Sequence, residues 1–255
     1  MNSTGLIEID AGTLTLGGGG SIAGTVSGVG TLLLNAGTFA IGAASGSGHI
    51  VLGAGASIGF AATELVATPF TFGNNVGVSV ASGATATLSG GINIGDATGG
   101  AVISGPGTIA TTGTTTVADP GSTTVLQLRN GITWANSGTV NDAGVGYIGT
   151  PGSSGADTCT VVNTGTFNLA GPDAALSLYL ASGGAPAAGF NNKGLLEKTG
   201  TGTSSVGAGI LLANTSTSVP PAARWCWARQ LQAPAPCAST PGPRWMCRHC
   251  PPASP

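Results

Sequence analysis

Asn163-Thr164-Gly165-Thr166-Phe167-Asn168-Leu169-Ala170-Gly171 decides how this chain is read, because its wording returns elsewhere with other apolar residues in the same slots. Asn136-Ser137-Gly138-Thr139-Val140 is the copy upstream and Asn192-Lys193-Gly194-Leu195-Leu196-Glu197 the copy downstream, so that the motif glycine recurs at Gly138, Gly165 and Gly194 at nearly even spacing. A weaker copy, Asn214-Thr215-Ser216-Thr217-Ser218-Val219, follows. The chain also opens on the same wording, since Asn2-Ser3-Thr4-Gly5-Leu6-Ile7-Glu8 matches the stretch from Asn191 to Glu197 at its Asn, Gly, Leu and Glu positions. Degenerate repeats with a period of about 20 to 50 residues mark a solenoid, a propeller or an array.

Composition sharpens the choice. Only 6% of the 255 residues are charged, where about 25% is usual for soluble domains. Disorder combines low hydrophobicity with high net charge, whereas here the mean hydropathy is positive and the formal charge is −2. A packed structure is therefore expected, and it must absorb 46 glycines, each costing roughly 0.5 to 1 kcal/mol relative to Ala inside an ordered element. A solenoid offsets such a cost, because every coil pairs with the coils above and below along its length. No run of about 18 apolar residues offers a membrane-spanning helix. Met1-Asn2-Ser3-Thr4 leads straight into a repeat, with neither a basic nor an apolar signal region, so an export signal is expected in sequence outside this chain.

The local pattern is that of strands. Up to Ser218 the longest stretch without glycine runs from Phe60 to Phe72 and is rich in Thr, Val and Phe, which disfavours a helix. Apolar residues alternate instead: Ile7 with Ile9, Leu14 with Leu16, Leu32 with Leu34, Phe39 with Ile41, Ile50 with Leu52, Val76 with Val78 and Val80, Ile92 with Ile94, and Leu176 with Leu178 and Leu180. The runs close on Gly, Asn or Ser, residues that turn a chain at little steric cost. Asn130-Gly131 is the one two-residue hairpin signal, too few for an antiparallel sandwich or barrel. The expected fold is all-β, a right-handed parallel β-helix of roughly ten coils over residues 1–219.

Residues 220–255 speak another language. From Val219 onward there is one glycine, Gly242, no Asp or Glu, nine of the 15 prolines, three of the four tryptophans and four of the five cysteines. Proline at that density excludes solenoid coils, and the segment is expected to be a disordered tail. The genetic code suggests its origin. Regrouping the codons of Arg224-Trp225-Cys226-Trp227-Ala228 by one base forces Val, Leu and Gly after a Leu, Met or Val, which is the wording of a repeat strand. The tail is thus read as repeat sequence in a shifted frame.

Gly12-Thr13-Leu14-Thr15-Leu16, Gly30-Thr31-Leu32-Leu33-Leu34 and Gly165-Thr166-Phe167-Asn168-Leu169, with Phe190-Asn191-Asn192-Lys193-Gly194 and Glu197-Lys198-Thr199-Gly200, resemble the β-strand repeats of bacterial autotransporter passengers. Filamentous-haemagglutinin-like surface proteins look similar. The resemblance implies a β-helix exported across the Gram-negative envelope and displayed at the cell surface or secreted, often as an adhesin. Its partners would then be a host-surface or extracellular-matrix ligand or a neighbouring cell, and it would meet the membrane only through a barrel domain lying outside this chain.

Candidate sites are weighed residue by residue. Asn2, Asn136, Asn163, Asn192 and Asn214 could line a binding strip, but amides stacked at a coil corner satisfy one another, and the structural reading is preferred. Of the nine carboxylates (Glu8, Asp10, Glu64, Asp96, Asp119, Asp142, Asp157, Asp173 and Glu197), only Glu8 and Asp10 lie close in sequence. Two carboxylates on one strand face are the minimum for a polysaccharide hydrolase, and a carbohydrate-active β-helix enzyme, hydrolase or lyase, is the alternative. A solvated strand face is the preferred reading of that pair. Pectinolytic β-helix enzymes also use Lys or Arg near their carboxylates, and up to Ser218 there are only Arg129, Lys193 and Lys198; no nucleic-acid partner is expected. Gly17-Gly18-Gly19-Gly20-Ser21 lacks the Lys of a phosphate loop and the Asp of a calcium-binding repeat. Thr85-Ala86-Thr87 and the run Thr111 to Thr116 raise the idea of a lattice-matching face, which needs Thr-x-Thr at the same place in every coil. His49 stands alone. Cys247-Arg248-His249-Cys250 lacks the second close pair that zinc requires, Cys226 and Cys237 being too far apart. No catalytic, cofactor or metal residue is assigned, and the expected function is structural and adhesive, without enzymatic activity.

Overall fold

A computed structural model of the chain describes residues 1–95, 100–117, 126–143, 147–149, 159–171, 175–176, 188–201, 203–206 and 210–216. The tail from residue 220, with its cysteines and its shifted-frame reading, lies outside the described residues. So do Leu178, Leu180, Asp96, Asp119, Asp157 and Asp173.

The described residues contain strands and no helix, and every strand pairing is parallel. Parallel neighbours cannot be joined by tight hairpins, so each strand pairs one full coil away. The chain winds as a β-solenoid with three faces per coil. His49–Leu52 lies on the first face, Ala56–Phe60 on the second and Glu64–Val66 on the third. The next coil repeats the order with Phe70–Phe72, Val76–Val80 and Thr85–Leu88.

Register on the first face fixes the coil length. The inward positions stack as Leu14, Leu32, Ile50, Phe70, Ile92, Thr115, Val140, Phe167 and Leu196. Successive steps lengthen along the chain, the step from Leu14 to Leu32 being far shorter than that from Phe167 to Leu196, while the strands themselves stay short. The added residues enter at the two corners flanking the second face. The corner from third to first face keeps two residues in the later coils: Thr112-Gly113, Ser137-Gly138, Thr164-Gly165 and Lys193-Gly194.

About seven turns are formed, against the roughly ten expected, because the later coils are the longer ones and the earliest coils lack a continuously paired third face. The strand Thr31–Ile41 runs 11 residues through a bend at Gly37, whose φ of 89° is open to glycine. An early coil that spends so much of its length on one bent strand leaves little for the third face. There the pairing thins to two isolated bridges, Thr25 to Ser45 and Ala44 to Val66. From Glu64–Val66 onward the third face is a continuous seven-stranded ladder.

The alternation read from the sequence holds. Ile7, Ile9, Leu32, Leu34, Phe39, Ile41, Ile50, Leu52, Val76, Val78, Val80, Ile92 and Ile94 are all buried. Leu14 shares their inward column but remains 39% exposed, because it belongs to the first coil of its face and nothing lies beneath it. Further up, the core becomes aromatic: Trp134 and Phe190 of the third face meet Phe167 of the first edge to face, with ring centroids 5.8 and 5.2 Å apart. Such geometry suits the ring quadrupoles.

Asn130-Gly131, the hairpin signal, makes no hairpin. Both residues have positive φ, 57° and 79°, yet they turn the chain from Leu126–Arg129 on the second face to Thr133–Asn136 on the third. Turn chemistry sets a local bend, and partners one coil away decide what the bend joins.

Candidate functional site

The repeated Asn-x-Gly motif builds the tight corner between the third and first faces. Asn136, Asn163 and Asn192 end third-face strands, point into the core and are almost fully buried. Each amide bridges two coils. Asn136 Nδ2 donates to Asn163 Oδ1 at 2.7 Å, Asn163 Nδ2 to Asn192 Oδ1 at 2.7 Å, and Asn192 Nδ2 to Asn214 Oδ1 at 3.0 Å. The same Nδ2 groups reach backbone carbonyls, Asn163 those of Gly165 in its own coil and Leu195 in the next. Below Asn136 the ladder ends in Thr111, whose hydroxyl donates to Asn136 Oδ1 at 3.1 Å and accepts from Trp134 Nε1 at 3.0 Å. Leu88 and Val66 continue the column as apolar residues.

The preferred structural reading therefore holds for Asn136, Asn163, Asn192 and Asn214. Asn2 does not join them. It lies on the second face opposite Ser21, whose hydroxyl donates to its Oδ1 at 3.1 Å. The opening Asn2 to Glu8 copy is one face out of phase, for Leu6-Ile7-Glu8 sits on the third face while Leu195-Leu196-Glu197 sits on the first.

The glycine of the motif is required by crowding rather than by positive φ. A Cβ on Gly138, Gly165 or Gly194 would stand 2.1 Å from the carbonyl oxygen of the matching glycine in the coil below. Asn136 O accepts the N–H groups of Thr164 and Gly165, so this corner stacks backbone on backbone.

Apart from the neighbours Glu8 and Asp10, the described carboxylates do not converge. Glu8 and Asp10 are exposed on the first coil, on either side of buried Ile9. Glu64 lies on the third face coils away, Glu197 on the first face of the last coils, and Asp142 is buried in the first-face column between Val117 and Leu169. Among the described residues no three His, Cys, Asp or Glu side chains gather as a metal site would require. His49 Nε2 shares a hydrogen bond with Thr71 Oγ1 at 2.8 Å. Gly18, Gly19 and Gly20 turn the chain with positive φ from first to second face, and the chain's own N-terminal ammonium donates to Gly19 O at 3.0 Å.

The threonine runs sit on different faces, Thr85 and Thr87 on the third, Thr114 and Thr116 on the first. They do not form one Thr-x-Thr array. What register does assemble is a neutral surface across the tight corner. On the third face Thr85, Thr108, Thr133 and Thr160 stack outward beside Thr87, Ala110, Ala135 and Val162. On the first face Thr114, Thr139 and Thr166 stack beside Thr116, Asn141 and Asn168. None of these outward positions is charged. Reading the motif singled out Asn136 and Asn163 but not Thr108, Thr133 and Thr160. Extending it three residues upstream finds them: Thr108-Ile109-Ala110-Thr111, Thr133-Trp134-Ala135-Asn136 and Thr160-Val161-Val162-Asn163 share one pattern.

The chain matches no family model, no curated protein and no solved structure, so its description as a parallel β-solenoid stands on its own register.

Proposed function

We propose that this chain is a structural and adhesive β-solenoid without enzymatic activity, carried at the surface of a Gram-negative bacterium or secreted from it, as part of an autotransporter-like adhesin. The observation that carries the reading is the neutral hydroxyl and amide surface repeated coil after coil from Thr85 to Asn168. A repeated surface contacts an extended partner at many equal points, and weak contacts add through effective concentration. The alternative, a polysaccharide hydrolase or lyase, needs carboxylates gathered around one scissile bond, and apart from the exposed pair Glu8 and Asp10 the described carboxylates are spread over distant coils. A matrix protein or a neighbouring cell surface is the partner class this reading favours.

The test uses the 255-residue chain coupled to beads and presented to wells coated with extracellular-matrix protein or with intact cells. Retention is expected, with weak dependence on salt because the surface is uncharged, and loss of retention in the double variant Thr108→Lys, Thr133→Lys. Release of reducing sugar from a polysaccharide panel, abolished by Glu8→Gln with Asp10→Asn, would establish the enzymatic alternative instead.

A further inference from the structure

We infer that the partner is an uncharged polysaccharide of a neighbouring cell's surface, its extended β-linked sugars lying along the solenoid axis on the third face, across Thr108, Thr133 and Thr160. The inference rests on the adhesive reading and names the chemistry of its partner.

Hydroxyls elsewhere on the solenoid are spent on the protein itself. On the second face Ser79 Oγ donates to Ile58 O and Ser104 Oγ to Val78 O, each at 3.3 Å, and Thr38 Oγ1 shares a hydrogen bond with Ser57 Oγ at 2.9 Å. On the first face Asn168 Nδ2 donates to Asn141 Oδ1 at 3.4 Å, and Thr199 Oγ1 donates to Asn168 Oδ1 at 2.8 Å. The hydroxyls of Thr108, Thr133 and Thr160 make no hydrogen bond among the described residues, and none of the three side chains is buried. Each keeps a donor and two lone pairs for an outside partner.

Register turns these hydroxyls into a row. Thr108, Thr133 and Thr160 are direct partners on successive parallel strands. The row therefore climbs by about 4.8 Å per coil, close to the rise of one sugar in an extended β-linked chain. Two residues further along the same strands, Ala110, Ala135 and Val162 form a second row of small apolar side chains, about 6.6 Å from the first. A sugar in such a chain is two-sided in the same way, with hydroxyls round its edge and C–H bonds on its ring faces. Seated here, each ring lays a C–H face on the apolar row and turns its edge hydroxyls to the threonines. Charge selects among glycans: neither row carries any, so an acidic chain finds no counter-charge. Each contact is weak, and the repeat adds them along one chain.

The full chain is sedimented with cellulose and with chitin, whose chains are extended, β-linked and uncharged. An α-linked dextran gel controls for shape, polygalacturonate gel for charge, and the chain without polysaccharide for self-sedimentation. Binding to cellulose or chitin is expected, insensitive to salt, with little on either control gel. Thr108→Val with Thr133→Val and Thr160→Val keeps the branched shape and removes the hydroxyls, and is expected to bind at least roughly tenfold more weakly. The corresponding triple Ser variant is expected to keep binding, and soluble β-glucan to release the parent chain from intact cells. A circular dichroism spectrum equal to the parent's is the folding control. Should the Val variant misfold, Ala135→Glu puts a charge in the apolar row and is expected to abolish binding to cellulose and chitin. Undiminished binding by the folded Val or Glu variant would overturn the proposal, as would stronger binding to polygalacturonate than to cellulose and chitin. Retention on matrix protein or cells that soluble β-glucan does not displace, without sedimentation on either polysaccharide, would overturn it in favour of a protein partner and leave the adhesive reading standing. Loss of retention on matrix protein, cells and polysaccharides alike would overturn both.

Discussion

Asn163 donates from Nδ2 to Asn192 Oδ1 at 2.7 Å while its own Oδ1 accepts from Asn136 Nδ2 at 2.7 Å. Both neighbours are as buried as Asn163 itself, so each amide is at once the partner of the coil above and of the coil below. Polar groups this deep are tolerated because each finds partners, and removing one rung takes a hydrogen bond from both of its neighbours.

Asn163→Ala is therefore expected to cost about 2 to 4 kcal/mol, since buried Asn192 Oδ1 and the carbonyls of Gly165 and Leu195 lose the Asn163 amide as donor, at about 1 to 3 kcal/mol for each buried group left unsatisfied. Asn214→Ala, at the exposed end of the same ladder, is expected to cost less than about 1 kcal/mol. Urea denaturation followed by circular dichroism compares the two, and equal costs would refute a buried, cooperative ladder.

Three glycines separate crowding from conformation. Gly165→Ala forces a Cβ to 2.1 Å from Gly138 O and is expected to be severely destabilising. Gly55→Ala has open space but a φ of 81° and is expected to cost about 1 to 2 kcal/mol. Gly5→Ala meets nothing within 4 Å and has no such φ, so a change within about 0.5 kcal/mol is expected. Any other ranking of the three midpoints would contradict the corner geometry.

Trp134 combines packing with polarity. Trp134→Ala empties a core site against Phe167 and is expected to cost about 3 to 5 kcal/mol. Trp134→Phe keeps most of the ring but loses the donor to Thr111, for a cost of about 1 to 2 kcal/mol. A Phe variant as unstable as the Ala variant would show that the hydrogen bond outweighs the packing.

The sequence by itself determined the strands, their alternation and the fact of stacking. Apolar alternation with Gly, Asn and Ser stops leaves the backbone few choices, and a phrase that returns at Gly138, Gly165 and Gly194 with few hairpin turns between points to parallel coils. It also marked Asn136, Asn163, Asn192 and Asn214 as one set. Which face each copy occupies was decided by tertiary structure alone. Asn2 to Glu8 reads like Asn191 to Glu197, yet the two lie on different faces, because so short a phrase fits any corner and only hydrogen bonds to the neighbouring coil choose one. The same holds for Thr108, Thr133 and Thr160. They are unevenly spaced along the chain and become one column only because corner loops of growing length return each strand to the same register.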